Sequence, residues 1–318
     1  MPAAGSPPVP AVPQLRVAIV GDVGHPWSHT ILFAHCLNGL CAEEAAARGL
    51  PLPGLPAASG ARAVALWSPD ARAGQEAARA LGLAWVMRLA DVPSVADGAV
   101  LSDDQDQERL RITEWAETLI AAGTRNLLVD KALAERPAQA RQLVAAAARH
   151  QVNLLAGSGL RWSLPLEKLA RDAATDRLLT GEASVPNGRI LFYGSHAVDP
   201  LLRVWDAPAA WVETAGPRGR HTITIGGPDG RVLTCHVVEG ARYAFEYALC
   251  GARGRYHATV EGEEVYRCHA RFAAAFVQMA VSGRMPVPYA ALSAAAEIVA
   301  AAVESEQAGG RRIPLRGA

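Results

Sequence analysis

The chain has 318 residues, half of them hydrophobic and 19% charged, which is apolar material for two cores rather than one. Lysine plus arginine balance aspartate plus glutamate at 31 each and no basic run occurs, so neither nucleic acid nor an anionic membrane is an expected partner. No segment approaches the roughly 18 apolar residues of a membrane span, and five cysteines without a C-x-x-C pair point to reduced thiols in a cytoplasm.

In chain order, residues 1–14 (MPAAGSPPVPAVPQ) carry no charge and five prolines, and read as a disordered arm. Residues 15–20 (LRVAIV) form a buried strand ending at Gly21, and a helix is expected over 28–47. A Pro/Gly-rich loop leads to a second strand at 61–67, after which Ser68-Pro69-Asp70 starts a helix with Pro69 in its first position. Residues 99–102, 126–129 and 153–156 are three more apolar strands, separated by helices that include 111–122 and 137–150. Apolar strands alternating with helices make βαβ units and a parallel sheet. Beyond about residue 161 the period changes to two: HTITI, RVLTCHVV, RYAFEYAL, RYHATV and EVYRC alternate between turn signals and read as an antiparallel sheet. Two Ala-rich helices, 270–282 and 289–306, close the chain. The expected units are residues 15–160 and 161–318, with the last helix packing back on the first unit.

The loop after the first strand runs Gly21-Asp22-Val23-Gly24-His25. A glycine closing a strand, with another three residues on, suits a tight turn that brings a pyrophosphate to a helix N-terminus. The full G-x-G-x-x-G is absent and Asp22 adds a negative charge, so an ordinary strand-to-helix turn is the competing reading. At the end of the second strand Ser68 stands where dinucleotide-binding folds place a ribose-binding carboxylate. That leaves room for a 2′-phosphate with Arg72 beside it, which favours NADP over NAD by a small margin; a plain cap by Ser68 is the alternative.

Lys131 leaves the fourth strand at its C-terminal end, in the crevice where open α/β sheets take ligands. An ammonium there can hold a substrate oxygen, and a solvated surface lysine is the plainer reading. Gly194-Ser195-His196-Ala197-Val198-Asp199 sets a histidine, with an acid three residues on, at the start of a helix; histidine is the natural acid and base for alcohol–ketone interconversion. His25, His29 and His35, and the pairs Cys235-His236 and Cys268-His269, are the concentrations of metal-ligand types. Adjacent strand residues point to opposite faces, so no metal site is expected. No G-x-S-x-G or P-loop is present, which removes the usual signals of triad hydrolysis and phosphoryl transfer.

Taken in order, these pieces resemble the Gfo/Idh/MocA family of NAD(P)-dependent oxidoreductases over about residues 15–315. RVAIVGDVGH resembles its first strand and glycine loop, and VALWSPDARAGQEAARALG its second strand and following helix. LLVDKALAERPAQARQLVAAAARHQVNLLAGSGLRW resembles the stretch with the family's Glu-Lys-Pro motif, GSHAVDPLL its Gly-x-His-x-x-Asp-Leu-Leu element, and the sequence from RFAAAF to RRIPL its closing helices. The resemblance implies an α/β protein: a Rossmann doubly wound parallel sheet, then a C-terminal α+β domain with a mostly antiparallel, open sheet that pairs chains into homodimers or homotetramers. It implies a bound NADP or NAD and hydride exchange with a hydroxyl, carbonyl or imine of a small, sugar-like molecule. Lys131 and His196 fall on the family's catalytic lysine and histidine. Gly21, Val23, Gly24, His25, Ser68, Arg72, Ser102 and Lys131 are expected to bind the cofactor, and Lys131, Arg161, His196 and Asp199 the substrate.

Three departures bear on the chemistry. Ala132 replaces the proline after the lysine, which predicts loss of a cis-proline bend. Phe192 stands where many members carry aspartate, and Tyr193 beside it offers a hydroxyl in its place. Ser102-Asp103-Asp104-Gln105-Asp106-Gln107 replaces a Thr-Pro-x-x-x-His loop beside the cofactor, where three carboxylates repel a pyrophosphate unless turned away. A non-redox lyase, hydrolase or isomerase on the same fold, or a catalytically lapsed binding or regulatory subunit, therefore stands as the alternative.

Overall fold

The structure, a computed structural model, describes residues 14–25, 28–47, 49–50, 53–103, 110–205 and 207–315. Residues 1–13 of the expected arm and 104–109 of the acidic loop lie outside them.

Strands β1 (Leu15–Gly21), β2 (Ala61–Trp67), β3 (Ala84–Trp85), β4 (Gly98–Ser102), β5 (Asn126–Asp130) and β6 (Asn153–Gly157) lie parallel in the order β3-β2-β1-β4-β5-β6. Helices α1 (His29–Asn38), α2 (Ala42–Ala47), α3 (Ala71–Ala80), α4 (Val92–Val95), α5 (Ile112–Ala121) and α6 (Pro137–Arg149) connect them. The central strands are sealed on both faces: Val17, Ala18, Ile19, Val20, Leu127, Leu128 and Val129 are fully buried. Strand order reverses between β1 and β4, and the crevice at the C-terminal strand ends there is where such sheets take ligands.

The helix expected over 28–47 is broken in two. Gly39, at φ 89°, ends α1 with its N–H on the His35 carbonyl (2.8 Å), and Leu40 then bridges to Leu55 before α2 begins. Asp70, not Ser68, caps α3, its carboxylate accepting from the Arg72 and Ala73 N–H groups at 3.0 Å. β3 spans two residues, too short to leave a periodic trace.

The second sheet contains β7 (Leu178–Pro186), β8 (Trp211–Ala215), β9 (Arg220–Gly226), β10 (Val232–Val238), β11 (Ala244–Gly251), β12 (Arg255–Glu261) and β13 (Ile313–Pro314), in the order β12-β11-β7-β10-β9-β8-β13. All neighbours are antiparallel except β10 with β7. β7 escapes the alternation rule because Gly181 and Pro186 interrupt it. Gly181 sits under the Leu249 and Leu233 side chains, where a Cβ would come within 2.8 and 2.9 Å.

Helices α7 (Leu164–Ala173), α8 (Ser195–Leu202), α9 (Glu264–Ser282) and α10 (Tyr289–Gln307) complete the fold. EVYRC is the start of α9, not a strand. Val265, Cys268, Phe272, Phe276 and Met279 are all buried, at the three-and-four spacing of a helix face. Phe272, Phe276 and Met279 of α9 and Leu292 of α10 complete the core of the first sheet, while Ile298, Val299, Ala301 and Ala302 of α10 enter the core of the second. The Arg141 guanidinium of α6 pairs with Glu297 of α10. Among the described residues no helix is long and apolar enough to cross a membrane.

The alternation in the second sheet buries Leu233, Cys235 and Val237 of β10 on one face. The register collects Thr180, Glu182, Ser184, Thr222, Thr224, Thr234 and His236 on the other. The uncovered face is thus threonine-rich and polar, rather than the water-avoiding apolar face that the alternation of apolar residues suggests.

Candidate active site

Strand register builds the centre of the site. β5 and β6 pair with Asp130 opposite Gly157, so Lys131 and Ser158 leave the sheet side by side. The Lys131 ammonium is buried 3.4 Å from Asp130 Oδ2 and 5.8 Å from the centre of the Phe192 ring. Ser158 reaches the second predicted residue: its Oγ lies 2.6 Å from Nδ1 of His196, in the first turn of α8. The His196 carbonyl accepts from the Tyr247 hydroxyl at 2.6 Å, which fixes the backbone beneath the ring. Burial, followed by the charges of Lys131 and His29, pushes the His196 imidazole well below its ordinary value, so the ring is neutral near pH 7. With Nδ1 engaged by Ser158, Nε2 is the ring nitrogen left for another partner.

The cis bend expected to be lost is present: the Lys131–Ala132 peptide is cis although residue 132 is not proline. Arg161 and Asp199, expected to bind substrate, are instead spent on each other. Arg161 donates to Asp199 Oδ1 at 2.9 Å and to its carbonyl at 3.0 Å, while Asp199 Oδ2 accepts from the Ser158 N–H at 2.9 Å. Gly157, at φ +123°, makes room for this carboxylate, because a Cβ would lie 2.5 Å from Asp199 Oδ2. The pair clamps the Ser158 turn and so aims the hydroxyl that holds His196.

A π-helical turn, Ile190–Gly194, leads into α8 and buries Phe192, whose ring also carries the Arg189 guanidinium at 4.8 Å. Tyr193 stacks on Phe245 (6.3 Å, 7°) and meets the His196 ring edge-on at 5.6 Å. The ring of Tyr193 therefore walls the histidine.

On the other side of Asp130 is a cluster that the sequence does not foreshadow. His29, first residue of α1, places Nδ1 2.6 Å from Asp130 Oδ2. His269 of α9 meets His29 ring to ring at 4.6 Å and 72°. Its presence voids the strand argument against Cys268-His269, since both residues are helical. Burial opposes the charge on Asp130, but Lys131 and His29 outweigh it and hold the carboxyl below the usual carboxylate range. Burial pushes His269 down to about 3.

The dinucleotide loop lies at the C-terminal end of β1. At Gly21 a Cβ would collide with the Ser102 carbonyl oxygen and lie 2.5 Å from Thr30 Oγ1, so β1, β4 and α1 close up as a phosphate-binding turn requires. Val23 is buried and His25 exposed at the loop tip. Asp22 Oδ1 accepts from the Gly24 N–H at 2.8 Å. Arg111, which sequence reasoning passed over, reaches both nearby acids: its guanidinium stands 3.8 Å from Asp22 and 3.9 Å from Asp103, and its N–H donates to Asp103 Oδ2 at 2.8 Å. Asp103 is fully buried against Arg111. Ser102 Oγ is buried with no hydrogen-bond partner among the described residues. The glycine turn, the amino end of a ten-residue helix and an arginine between the two acids fit a dinucleotide. The ribose end is less accommodating. Ser68 is buried against Gly74, and Arg72 extends to Glu76 (3.3 Å) on the exposed face of α3, where a 2′-phosphate must compete for it.

No family model matches the sequence, and no curated protein matches it. Solved structures do. The fold is similar to that of GenD2 from gentamicin A biosynthesis in complex with NAD, at 19% identity and a TM-score of 0.77, covering 98% of this chain and 100% of that one. It is similar to myo-inositol dehydrogenase from Lactobacillus casei in complex with NAD(H) and myo-inositol, at 14% identity and a TM-score of 0.76, covering 96% and 98%. It is also similar to an oxidoreductase from Agrobacterium radiobacter in complex with NAD+, L-tartaric acid and magnesium, at 13% identity and a TM-score of 0.72, covering 95% and 98%. The two-sheet architecture implied by the resemblance to Gfo/Idh/MocA oxidoreductases is therefore the fold of the described residues.

Proposed function

We propose that the protein is an oxidoreductase that moves a hydride between NAD or NADP and a hydroxyl or carbonyl carbon of a small polar, sugar-like molecule. What carries this reading is the convergence of Lys131 and His196, through paired strand ends and Ser158, in a crevice beside a dinucleotide-type loop. In the oxidative direction His196 Nε2 takes the hydroxyl proton while the Lys131 ammonium holds the same oxygen and offsets its developing charge. In the reductive direction the protonated His196 Nε2 returns that proton to the oxygen, which Lys131 again holds. When bound, the nicotinamide accepts or supplies the hydride; the loop at Gly21, Val23, Gly24 and His25, with Ser102 and Arg111, would hold the dinucleotide. Asp130 pairs with Lys131 at 3.4 Å, and the Phe192 ring lies over the ammonium at 5.8 Å.

Trp67 and Trp115 stack edge-to-face at 5.4 Å, with the Arg111 guanidinium 5.2 Å above Trp115, so the tryptophan emission should report on the loop. Titration with NAD and with NADP should each be followed by this signal. A response to one or both supports the reading and ranks the two cofactors. No response to either at millimolar concentration would sink it.

The reading includes a homodimer or homotetramer, assembled through the uncovered face of the second sheet. The support is a face of the seven-stranded sheet on which β7, β9 and β10 place Thr180, Ser184, Thr222, Thr224 and Thr234 beside Glu182 and His236, groups suited to hydrogen bonding with a copy of itself. Light scattering at micromolar concentration should give at least twice 33.4 kDa, and a monomer mass would reject the assembly. The free state of Cys36, Cys41, Cys235, Cys250 and Cys268 supports a cytoplasmic setting.

A further inference from the structure

We propose that His29, Asp130 and His269 form a binding site for one divalent transition-metal ion of the zinc class. Three separate elements bring the ligands together: the start of α1, the end of β5 and the first half of α9. One donor atom from each lies within 4.8 Å of the others.

The hydrogen-bond inventory of the cluster is short of donors. Asp130 Oδ1 and His269 Nε2 are both lone-pair atoms, both sealed from solvent, and neither has a hydrogen-bond partner among the described residues. Two such acceptors side by side are costly unless a proton or a cation satisfies them. The tautomer of His269 argues for the cation. Its Nδ1 lies 2.8 Å from the Val265 carbonyl, which can only accept, so Nδ1 carries the proton and Nε2 the lone pair. A ligating histidine is commonly held in this way, with its second nitrogen donating to a backbone carbonyl. Gly159 preserves the position of the ring, since a Cβ there would come 2.7 Å from His269 Cδ2 and 2.8 Å from Nε2.

Two imidazoles and one carboxylate select a borderline ion over magnesium or calcium, which favour all-oxygen shells. Zinc bonds of about 2.0–2.1 Å separate tetrahedral ligands by about 3.4 Å, so the ion would open the His29–Asp130 pair, now 2.6 Å apart, by about 0.8 Å and draw the more distant donors inward by up to about 1.4 Å. It would replace the proton that His29 Nδ1 shares with Asp130 and release it to solvent. Three protein ligands leave a coordination position open. His29 and His269 also line a cavity of ≈ 210 Å³ with Ser28, Tyr243 and Tyr266, next to the cluster.

The experiment uses the full-length protein, stripped by dialysis against a chelator and titrated with zinc or cobalt(II) alone. One equivalent of zinc per chain should survive gel filtration, raise the melting temperature, and give a d–d absorption with cobalt typical of low coordination. His29→Ala and His269→Gln should each weaken zinc binding about 100-fold or more, while His257→Ala, on the exposed side of β12, should leave it unchanged. If His269→Gln fails to fold, His29→Ala carries the test from its partly exposed position. The proposal is overturned if the stripped protein retains no zinc, or if His29→Ala binds it as tightly as the unaltered chain.

Discussion

Lys131→Ala and His196→Ala should each lower turnover by roughly 10²–10⁴-fold, the usual loss when one proton-transfer or charge-stabilising group is removed, with little change in the dissociation constant of NAD or NADP. One side chain comes from a strand end and the other from a helix, yet they meet at one place: Lys131 follows Asp130 of β5, and Ser158, which follows the paired strand β6, holds His196 of α8. An interaction made mainly in the transition state shows up in kcat and kcat/KM together, and the measurement is the rate of NAD(P)H formation across a panel of polyols and hydroxy acids. Tyr193→Phe should have a small effect, because the ring of Tyr193 stacks on Phe245 and walls the histidine. If His196→Ala keeps full turnover and Tyr193→Phe abolishes it, the proton donor is Tyr193. If neither Lys131 nor His196 affects any measured activity, the redox reading gives way to a lyase, hydrolase or isomerase on the same fold.

Asp199→Ala should destabilise the fold by about 3–5 kcal/mol, the cost of leaving one member of a buried ion pair without its partner. The Arg161 and Asp199 side chains are only 14% and 7% exposed, and the carboxylate also satisfies the Ser158 N–H. A urea unfolding midpoint, with the slope of the transition unchanged, is the readout. The double replacement Arg161→Met with Asp199→Leu should recover much of the loss, since a well-packed apolar pair often matches a buried ion pair in stability. A loss below about 1 kcal/mol for Asp199→Ala would mean that Arg161 finds another partner or water.

The first sheet is legible in the sequence because its strands are short, continuous apolar runs between long helical segments, a pattern that burial on both faces imposes. Lys131 and His196 are legible because each sits at a strand or helix end in a recognisable run. What stays hidden depends on distance. His29 and His269 lie 240 positions apart in the numbering and meet only because α1 and α9 pack together. Nothing local marks either as a neighbour of Asp130. Arg111 looks like an ordinary residue before a helix until β1 and β4 bring Asp22 and Asp103 to it. Arg161 and Asp199 pose the reverse problem: their charges advertise a ligand, and the fold uses them internally. β7 is lost to a glycine and a proline, and the first turn of α9 mimics a strand because Tyr266 and Cys268 flank the charged Arg267.

The placement of Phe272, Phe276 and Leu292 in the core of the first sheet has a bearing on how the chain is made. Residues through Gly157 supply every strand of that sheet, yet its apolar layer stays open until α9 emerges. At about 5–20 residues per second, translation leaves that layer uncovered for roughly 6–24 s. Through that interval the nascent polypeptide carries a nearly finished parallel sheet whose missing wall is still on the ribosome, which makes it a natural client for holding chaperones.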